Sequence, residues 1–216
     1  MKAIMISIKP QYVADILNGK KTLEIRKTCP EIFKRLKPYE GASFDVYIYA
    51  TKKYDECLWY KKDSKCYVLN YGKPTNDYLN GKVVAKFTLN KVEEIKLPYT
   101  YFGTNKWVGG EHERTLQTET LDEKDILKLS CLTEEEIYKY LDFKHSPNNV
   151  GYAWHIDNLV VFDKPKELKE FYKVGCEEYF EKHVFVDHPN FRPIYESELK
   201  QFQLTRAPQS WCYVEV

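Results

Sequence analysis

Three charged residues near the start of the chain have the types and the spacing that nucleotide chemistry uses. Lys21, Glu24 and Arg26 fall within six consecutive positions. Side chains two apart on a strand project from one face, about 7 Å apart along the backbone, so Glu24 and Arg26 can reach each other or one ligand. A carboxylate between cations can accept from a base amino group while the cations hold phosphate. The alternative is a solvated surface ion pair worth about 0–1 kcal/mol.

A second candidate is a stretch from Lys52 to Lys73 in which lysines alternate with aromatic residues such as Tyr54, Trp59 and Tyr60. Cations that follow phosphates, alternating with rings that stack on bases, are typical of single-stranded nucleic acid binding. The alternative is that the rings belong to the core and the lysines only solubilise the protein. The residues that we predict to contact nucleic acid are Lys20, Lys27, Lys52, Lys53, Trp59, Lys61 and Lys62.

The histidines offer no metal site. His183 and His188, with Asp187 and Cys176, match no known spacing of metal ligands. The chain also contains no phosphate-binding P-loop, no dinucleotide fingerprint and no Gly-x-Ser-x-Gly motif. We therefore predict that the protein uses neither a metal nor a cofactor.

His155 is the histidine that could belong to a site. It shares a strand face with Ala153 and Gly151, whose small side chains leave room beside it. Two interpretations stay open: His155 lines a cleft, or it is a core histidine whose hydrogen bonds are satisfied inside the protein.

The elements around the first motif can be predicted from periodicity. Residues 2–9 alternate, with Ile4, Ile6 and Ile8 on one face, which predicts a half-buried strand. Pro10 suits the first turn of a helix, and apolar residues at helical spacing continue to position 17. Gly19 is suited to the left-handed cap that ends this helix. A second strand follows at residues 22–26.

Short strands and scattered helices continue to the end of the chain. A capping box of Thr133 and Glu136 predicts one helix, and Asp163 ahead of Pro165 predicts another carrying Leu168, Phe171 and Tyr172. This pattern favours an α+β fold, a mixed β-barrel with peripheral helices. We predict a single domain over residues 1–216 with a helical insertion at about 98–145. Further strands are predicted at Phe44–Thr51, Val83–Leu89, Tyr152–Phe162 with a break near Asp157-Asn158, and Trp211–Val216.

The segment from residue 4 to residue 27 resembles the ASCH family of the PUA-like superfamily. Its signature is a strand, a short helix and then Gly-x-Lys-x-x-Glu-x-Arg, which Gly19, Lys21, Glu24 and Arg26 match. Residues 153–156 (Ala-Trp-His-Ile) and 208–213 (Pro-Gln-Ser-Trp-Cys-Tyr) resemble the longer members of this family, which occur in bacteria and their phages. The resemblance implies a PUA-like barrel that binds RNA or a modified nucleotide in a cleft beside the first helix. The implied ligand contacts are Ser7, Lys9, Lys21, Glu24, Arg26 and His155.

The resemblance also raises a hydrolase alternative. Some small ASCH relatives remove the acetyl group from acetylated cytidine with a lysine, a threonine three residues later and a downstream glutamate. Lys21 matches the lysine position, but Glu24 stands where the threonine is required. If this chain is an enzyme, Lys21 and Glu24 are the candidate catalytic residues. In an amidohydrolase the Glu24 carboxylate would have to act differently from the threonine, and in a nuclease it would serve as a base or hold a metal ion.

Composition limits the remaining possibilities. Apolar residues make up 43% and charged residues 30% of the 216 positions, which is typical of a globular protein. Residues 1–100 carry 19 Lys and Arg against 11 Asp and Glu, and residues 101–216 carry 14 against 21, so one face could attract phosphate. Alternatively, the halves mix in the fold, or the acidic half binds another protein.

We expect a cytoplasmic protein, because the chain has no apolar run long enough to span a membrane and no export signal. In that compartment the six cysteines are expected to be free thiols. The sequence does not predict an oligomeric state.

Overall fold

The computed structural model describes residues 2–35, 43–62, 64–71, 78–96, 116–142, 150–175 and 200–216. The chain divides into two compact units. Unit 1 comprises Met1–Gly19, Ser43–Thr88 and Asp157–Val216, and unit 2 comprises Lys20–Ala42 and Leu89–Ile156. That residues 1–216 form one domain stays a prediction.

Unit 1 is built on a six-stranded sheet and a separate two-stranded hairpin. The order in the sheet is β10-β11-β1-β3-β6-β9, and β4 pairs with β5 in the hairpin. The elements of unit 1 are β1 (Lys2–Ile8), α1 (Pro10–Leu17), β3 (Phe44–Ala50), β4 (Cys57–Lys61), β5 (Cys66–Asn70), β6 (Val83–Leu89), β9 (Asp157–Lys166), a short 3-10 helix (Leu168–Glu170), β10 (Tyr172–Lys173) and β11 (Trp211–Glu215).

The first strand and helix lie close to their predicted positions. β1 pairs in parallel with β3 and antiparallel with β11, so it is an inner strand. The prediction that β1 is half-buried is wrong, because residues 3–8 are buried on both faces of this inner strand. α1 begins at Pro10, and Gly19 follows it with a φ of 72°, as the left-handed cap requires.

The region from 150 to 173 differs from the prediction in one element. The expected break near Asp157-Asn158 is confirmed, since Asn158 has a φ of 48° and two strands meet there. The helix predicted from Asp163 is wrong: residues 163–166 continue β9, and only three residues form a 3-10 turn. β9 lies at the edge of its sheet, where Pro165 is tolerated because one side of the strand needs no N–H donor.

Unit 2 has a three-stranded antiparallel sheet in the order β2-β8-β7. Its described elements are β2 (Leu23–Arg26), α2 (Glu31–Arg35), β7 (Val92–Lys96), α3 (Glu123–Ser130), α4 (Glu134–Leu141) and β8 (Val150–His155). One face of the sheet packs with α3 and α4 in an apolar cluster that includes Leu23, Ile25, Ile126, Ile137 and Leu141.

Both longer helices of unit 2 begin with a side-chain cap. Asp122 accepts from the Asp125 N–H ahead of α3, and Thr133 with Glu136 forms the predicted capping box ahead of α4. These helices lie within the described part of the predicted insertion, residues 116–142, and contribute to the unit 2 core. Residues 98–115 and 143–145 of that insertion lie outside the described residues.

The α+β class is confirmed, with strands more extensive than helices, but the closed barrel is not. The described strands form three separate sheets, each with two end strands, such as β2 and β7 in unit 2, and they do not close into a barrel. In the described part of the chain, no helix has the length and apolar character needed to cross a bilayer.

Candidate functional site

Lys21 lies at the junction between β2 and the end of α3. The Thr22 N–H donates to the Leu129 carbonyl at 2.9 Å, which holds the loop before β2 against the last turn of α3. The Lys21 side chain is almost fully buried, with 2% exposure for the residue. Its ammonium therefore sits at the carbonyl end of α3, where the helix dipole favours a positive charge.

The Lys21 ammonium has an acceptor for each of its three protons. Nζ lies 2.6 Å from the Ser130 carbonyl oxygen, 2.9 Å from the Leu23 carbonyl oxygen and 3.3 Å from Glu24 Oε2. An ammonium group has only three donors. Lys21 is thus fully engaged inside unit 2.

Glu24 links Lys21 to Arg26. Glu24 Oε1 lies 2.9 Å from Arg26 Nη2, and each residue is 6% exposed. Arg26 also bonds to Tyr140 of α4, and partial burial raises the pKa of that phenol although the Arg26 charge opposes the shift. Lys27 Nζ lies 5.8 Å from the centroid of the same ring, a cation–π distance.

The three motif residues therefore meet, as their spacing predicted, but they meet as a buried chain of ion pairs. Two cations flank the Glu24 carboxylate and compensate its charge inside the protein. This geometry supports a role in holding β2 against α3. That Lys21, Glu24 and Arg26 also contact a ligand, or act in catalysis, stays a prediction.

His155 forms a second polar cluster in unit 2, at the end of β8. His155 Nε2 lies 2.7 Å from Glu93 Oε2, and 20% of the His155 side chain is exposed. Lys91 Nζ lies 3.2 Å from the same Glu93 oxygen. Glu93 Oε1 accepts from Thr120 Oγ1 at 2.7 Å, from the Thr120 N–H at 3.0 Å and from Thr118 Oγ1 at 3.3 Å.

These contacts keep Glu93 ionised. Burial by itself raises the pKa of the Glu93 carboxyl, but hydrogen bonds from Thr120, His155 and Lys91 outweigh burial, and the net pKa is lowered. An ionised carboxylate has no proton to donate, so His155 must carry the proton on Nε2. Nδ1 is then the acceptor nitrogen when the ring is neutral.

Sequence reasoning missed Glu93, Lys91 and Thr120. Residues 91–96 were not assigned to a strand, and Glu93 reads there as an ordinary charged residue. The pairing of β7 with β8, in which the His155 N–H donates to the Lys91 carbonyl, brings them together across 62 positions of sequence. The signal in the sequence was the period of two over residues 93–96, which places Glu93 on the face of Ile95 and opposite the charged Glu94 and Lys96.

The two predicted contacts at the start of α1 belong to unit 1. Ser7 is buried, and its Oγ donates to the Pro208 carbonyl at 2.7 Å. Lys9 is exposed and occupies the N-cap position of α1. Their contact with a ligand stays a prediction.

The β4–β5 hairpin and the residues that flank it, 52–56 and 71, present exposed rings together with exposed lysines. Tyr54 is 79% exposed, Tyr71 is 75% exposed and Tyr60 is 42% exposed. Tyr60 contacts Tyr67 across the hairpin, with ring centroids 5.0 Å apart. Trp59 is half-buried. The lysines exposed here are Lys52, Lys61, Lys62 and Lys65.

Lys53 differs from these lysines because it pairs with Glu56. The hydrogen bond to Glu56 raises the pKa of the Lys53 ammonium and neutralises its charge locally. Of the other predicted nucleic-acid contacts, Lys20 and Lys27 are exposed but belong to unit 2.

Two asparagines hold the hairpin in place. Asn18, the C-cap of α1, donates to the Tyr67 carbonyl at 2.7 Å and accepts from the Tyr67 N–H at 2.9 Å. Asn80 accepts from the Leu58 N–H at 2.7 Å and donates to the Lys53 and Glu56 carbonyls. The rings and lysines therefore stand on a backbone fixed beside α1.

The described residues contain no group of three or more His, Cys, Asp or Glu side chains that could hold a metal ion. The alternative metal ligands His183, His188, Asp187 and Cys176 lie outside the described residues. Cys29, Cys57, Cys66, Cys131 and Cys212 are free thiols, as predicted for those positions.

The described chain is an α+β protein with a buried ion cluster beside α3, a Glu93–His155 pair and an aromatic, lysine-rich hairpin. No protein-family model matches the sequence, and no curated protein matches it. The structure is similar to that of ASCH from Zymomonas mobilis, with a TM-score of 0.45 and 15% identity over 99% of this chain and 87% of that one. A mutant of the Zymomonas protein is similar at a TM-score of 0.46 and 15% identity, over 100% of this chain and 91% of that one. The neighbours carry the ASCH name that residues 4–27 suggested.

Proposed function

We propose that this protein binds single-stranded RNA or a nucleotide through the β4–β5 hairpin beside α1. The observation that carries the proposal is the joint exposure of three tyrosine rings and four lysines on this hairpin and the residues that flank it. Tyr54 and Tyr71 expose three quarters or more of their surface, so their rings are accessible for stacking on a base.

The chemistry of the hairpin fits a flexible strand better than a duplex. Stacking of a base on an aromatic ring contributes about 1–3 kcal/mol per base and needs an unpaired base. Lysines beside the rings can contact the phosphates between the stacked bases. Because every base has a flat face, this surface favours single strands with little dependence on sequence.

Lys21, Glu24 and Arg26 are less suited to bind the ligand than the hairpin. All three Lys21 protons already have acceptors within unit 2, so binding a phosphate there requires breaking a buried contact. The same occupancy argues against Lys21 as an activated base. We therefore place the primary contact on the hairpin and not on Lys21, Glu24 and Arg26.

Fluorescence anisotropy with a labelled single-stranded RNA tests the proposal. The double variant Tyr54→Ala with Tyr71→Ala should weaken binding by at least about tenfold, because two stacking platforms are lost. The matched control is Tyr54→Phe with Tyr71→Phe, which keeps both rings and should bind like the unmodified protein. A duplex of the same sequence should bind more weakly than the single strand.

If the alanine and phenylalanine variants bind equally well, the hairpin is not the contact surface. If the unmodified protein binds duplex and single strand alike, stacking is not the source of affinity. Either result removes this proposal.

A further inference from the structure

The Glu93–His155 pair has a defined pattern of hydrogen-bond donors and acceptors that the hairpin does not explain. Glu93 has five donors around it on four residues: His155 Nε2, Lys91 Nζ, the hydroxyls of Thr118 and Thr120, and the Thr120 backbone N–H. The carboxylate is 4% exposed and has its capacity filled within the protein. Its role toward a ligand is therefore to position neighbouring groups.

The first group that Glu93 positions is the His155 ring. With Nε2–H donated to Glu93, the lone pair of Nδ1 lies on the other side of the neutral ring. Nδ1 makes no hydrogen bond to any described residue, and the ring retains partial exposure. Across β2, the residue opposite His155 is Leu23, which brings no charge to this face. The charged neighbours of the ring on β7 and the turn before it are Glu93 and Lys91.

The second group is the Lys91 ammonium. Nζ lies 3.2 Å from Glu93 Oε2 and 2.9 Å from Thr120 Oγ1, which uses two of its three protons. Its side chain is 41% exposed, so the third proton can meet a ligand. Since Lys91 and His155 both contact Glu93 Oε2, an acceptor and a donor are held side by side.

We propose that His155 and Lys91 form a site for the imide edge of a nucleobase, with Nδ1 accepting from the ring N–H and Lys91 donating to the adjacent carbonyl. Uracil and guanine present such an edge, a ring N–H beside a C=O. This inference extends the proposed function by naming the bases, although it concerns unit 2 whereas the hairpin belongs to unit 1.

The site formed by His155 and Lys91 discriminates between bases because it offers one acceptor, Nδ1, beside one donor, the ammonium. Cytosine and adenine carry a lone pair at the corresponding ring nitrogen, which would face the lone pair of Nδ1. A site built to receive an N–H rejects an analogue that lacks it, because its polar groups are left unpaired. A correct pair of hydrogen bonds should therefore favour the matching base by roughly tenfold in affinity.

Titration of the full-length protein by NMR with free nucleosides tests the site. Uridine is expected to shift the His155 ring signals, and 3-methyluridine, whose ring N–H is replaced by a methyl group, should bind at least about tenfold more weakly. Cytidine should also bind weakly.

A variant series separates the site from its surroundings. His155→Phe should remove the preference for uridine over 3-methyluridine, while Glu94→Gln, at the next position of β7, should retain it. Long-range proton–nitrogen correlation spectra of the ring should show the proton on Nε2. A proton on Nδ1 in the unliganded neutral protein, or equal binding of uridine and 3-methyluridine with both free nucleosides and oligonucleotides, overturns the inference.

Whether the site binds a free nucleoside or a base within RNA is tested by comparing free uridine with oligo(U), oligo(C) and an oligonucleotide of 3-methyluridine. Selective binding of uridine itself assigns the site to a nucleoside or nucleotide. Selectivity that is present only in the oligonucleotides assigns it to RNA. If the unmodified protein binds all of these ligands without selectivity while the hairpin still binds single strands, the His155 site is ruled out and the proposed function stays in place.

Discussion

Lys20 and Lys21 are adjacent in the sequence and occupy opposite environments. Lys20 is exposed, whereas Lys21 is buried with three acceptors around its ammonium. Removing a charge from water is costly unless the group is paired and hydrogen-bonded, and Lys21 meets both conditions. The lysine of the motif thus contributes to the stability of unit 2 through its buried contacts with Ser130, Leu23 and Glu24.

Replacement of Lys21 tests this structural role. Lys21→Met should lower the free energy of unfolding by about 3–5 kcal/mol, because Glu24 keeps a buried charge while losing one partner and two carbonyls lose their donor. Lys20→Met, the matched control, should change it by less than about 0.5 kcal/mol. Urea denaturation measures both. Equal effects of the two variants would contradict the buried arrangement.

At the residue scale, the sequence predicted the contact between Glu24 and Arg26 but not the partners that come from other elements. Glu24 and Arg26 share a strand face, so their contact follows from the period of two. The Ser130 carbonyl, 109 positions from Lys21, could not be paired with it from the sequence, because only the packing of α3 against β2 brings them together. Glu93 was missed for the same reason: its partner lies on another strand.

At the element scale, the contact between β8 and α4 depends on the absence of a side chain. A Cβ at Gly151 would lie 2.4 Å from Leu141 Cδ1 and 2.9 Å from Leu141 Cδ2. Leu141 is 2% exposed and belongs to the apolar cluster of unit 2, so moving its side chain into solvent would lose apolar burial and destabilise the protein. Gly151 thus lets α4 approach the sheet closely.

A double-mutant cycle checks this approach. Gly151→Ala should destabilise the protein by about 1–3 kcal/mol through overpacking. Leu141→Ala alone should also destabilise it, by about 2–5 kcal/mol, because it leaves a cavity. In the double variant the new methyl group enters that cavity, so the combined loss should be smaller than the two losses added, by at least about 0.5 kcal/mol. Additive losses in thermal or urea unfolding would show that the two residues do not compete for space.

Elements with strong local signals were predictable, and those that depend on neighbours were not. α1 has Pro10 at its start and Gly19 after its end, and α4 has its capping box, so local chemistry fixes their bounds. The segment 163–172 carries the same kind of signal, yet it forms an edge strand and a 3-10 turn because Phe171 packs into the core of unit 1. Closure into a barrel depends on pairing between strands that are distant in sequence, and the hydrophobic periodicity of each strand does not predict its partner.

At the scale of the whole molecule, the charge difference between the chain halves does not become a difference between the units. Unit 1 contains 18 Lys and Arg against 17 Asp and Glu, and unit 2 contains 15 against 15. Each unit contains residues from the basic first half and from the acidic second half of the chain, so the opposite charges are mixed within both units. Attraction of a polyanion must therefore come from local groups such as the hairpin lysines.

The salt dependence of RNA binding tests whether the hairpin lysines supply that attraction. Each phosphate contact with a single strand contributes about −0.7 to the slope of log affinity against log salt, so the four exposed lysines should give a slope of about −3. Lys61→Ala with Lys62→Ala should reduce the slope to about half that value, because two phosphate contacts are lost. Lys124→Ala with Lys128→Ala, two exposed lysines of α3, is the matched control and should leave the slope unchanged. If both pairs of variants reduce the slope equally, the positive field is spread over the surface, and the hairpin does not direct the RNA.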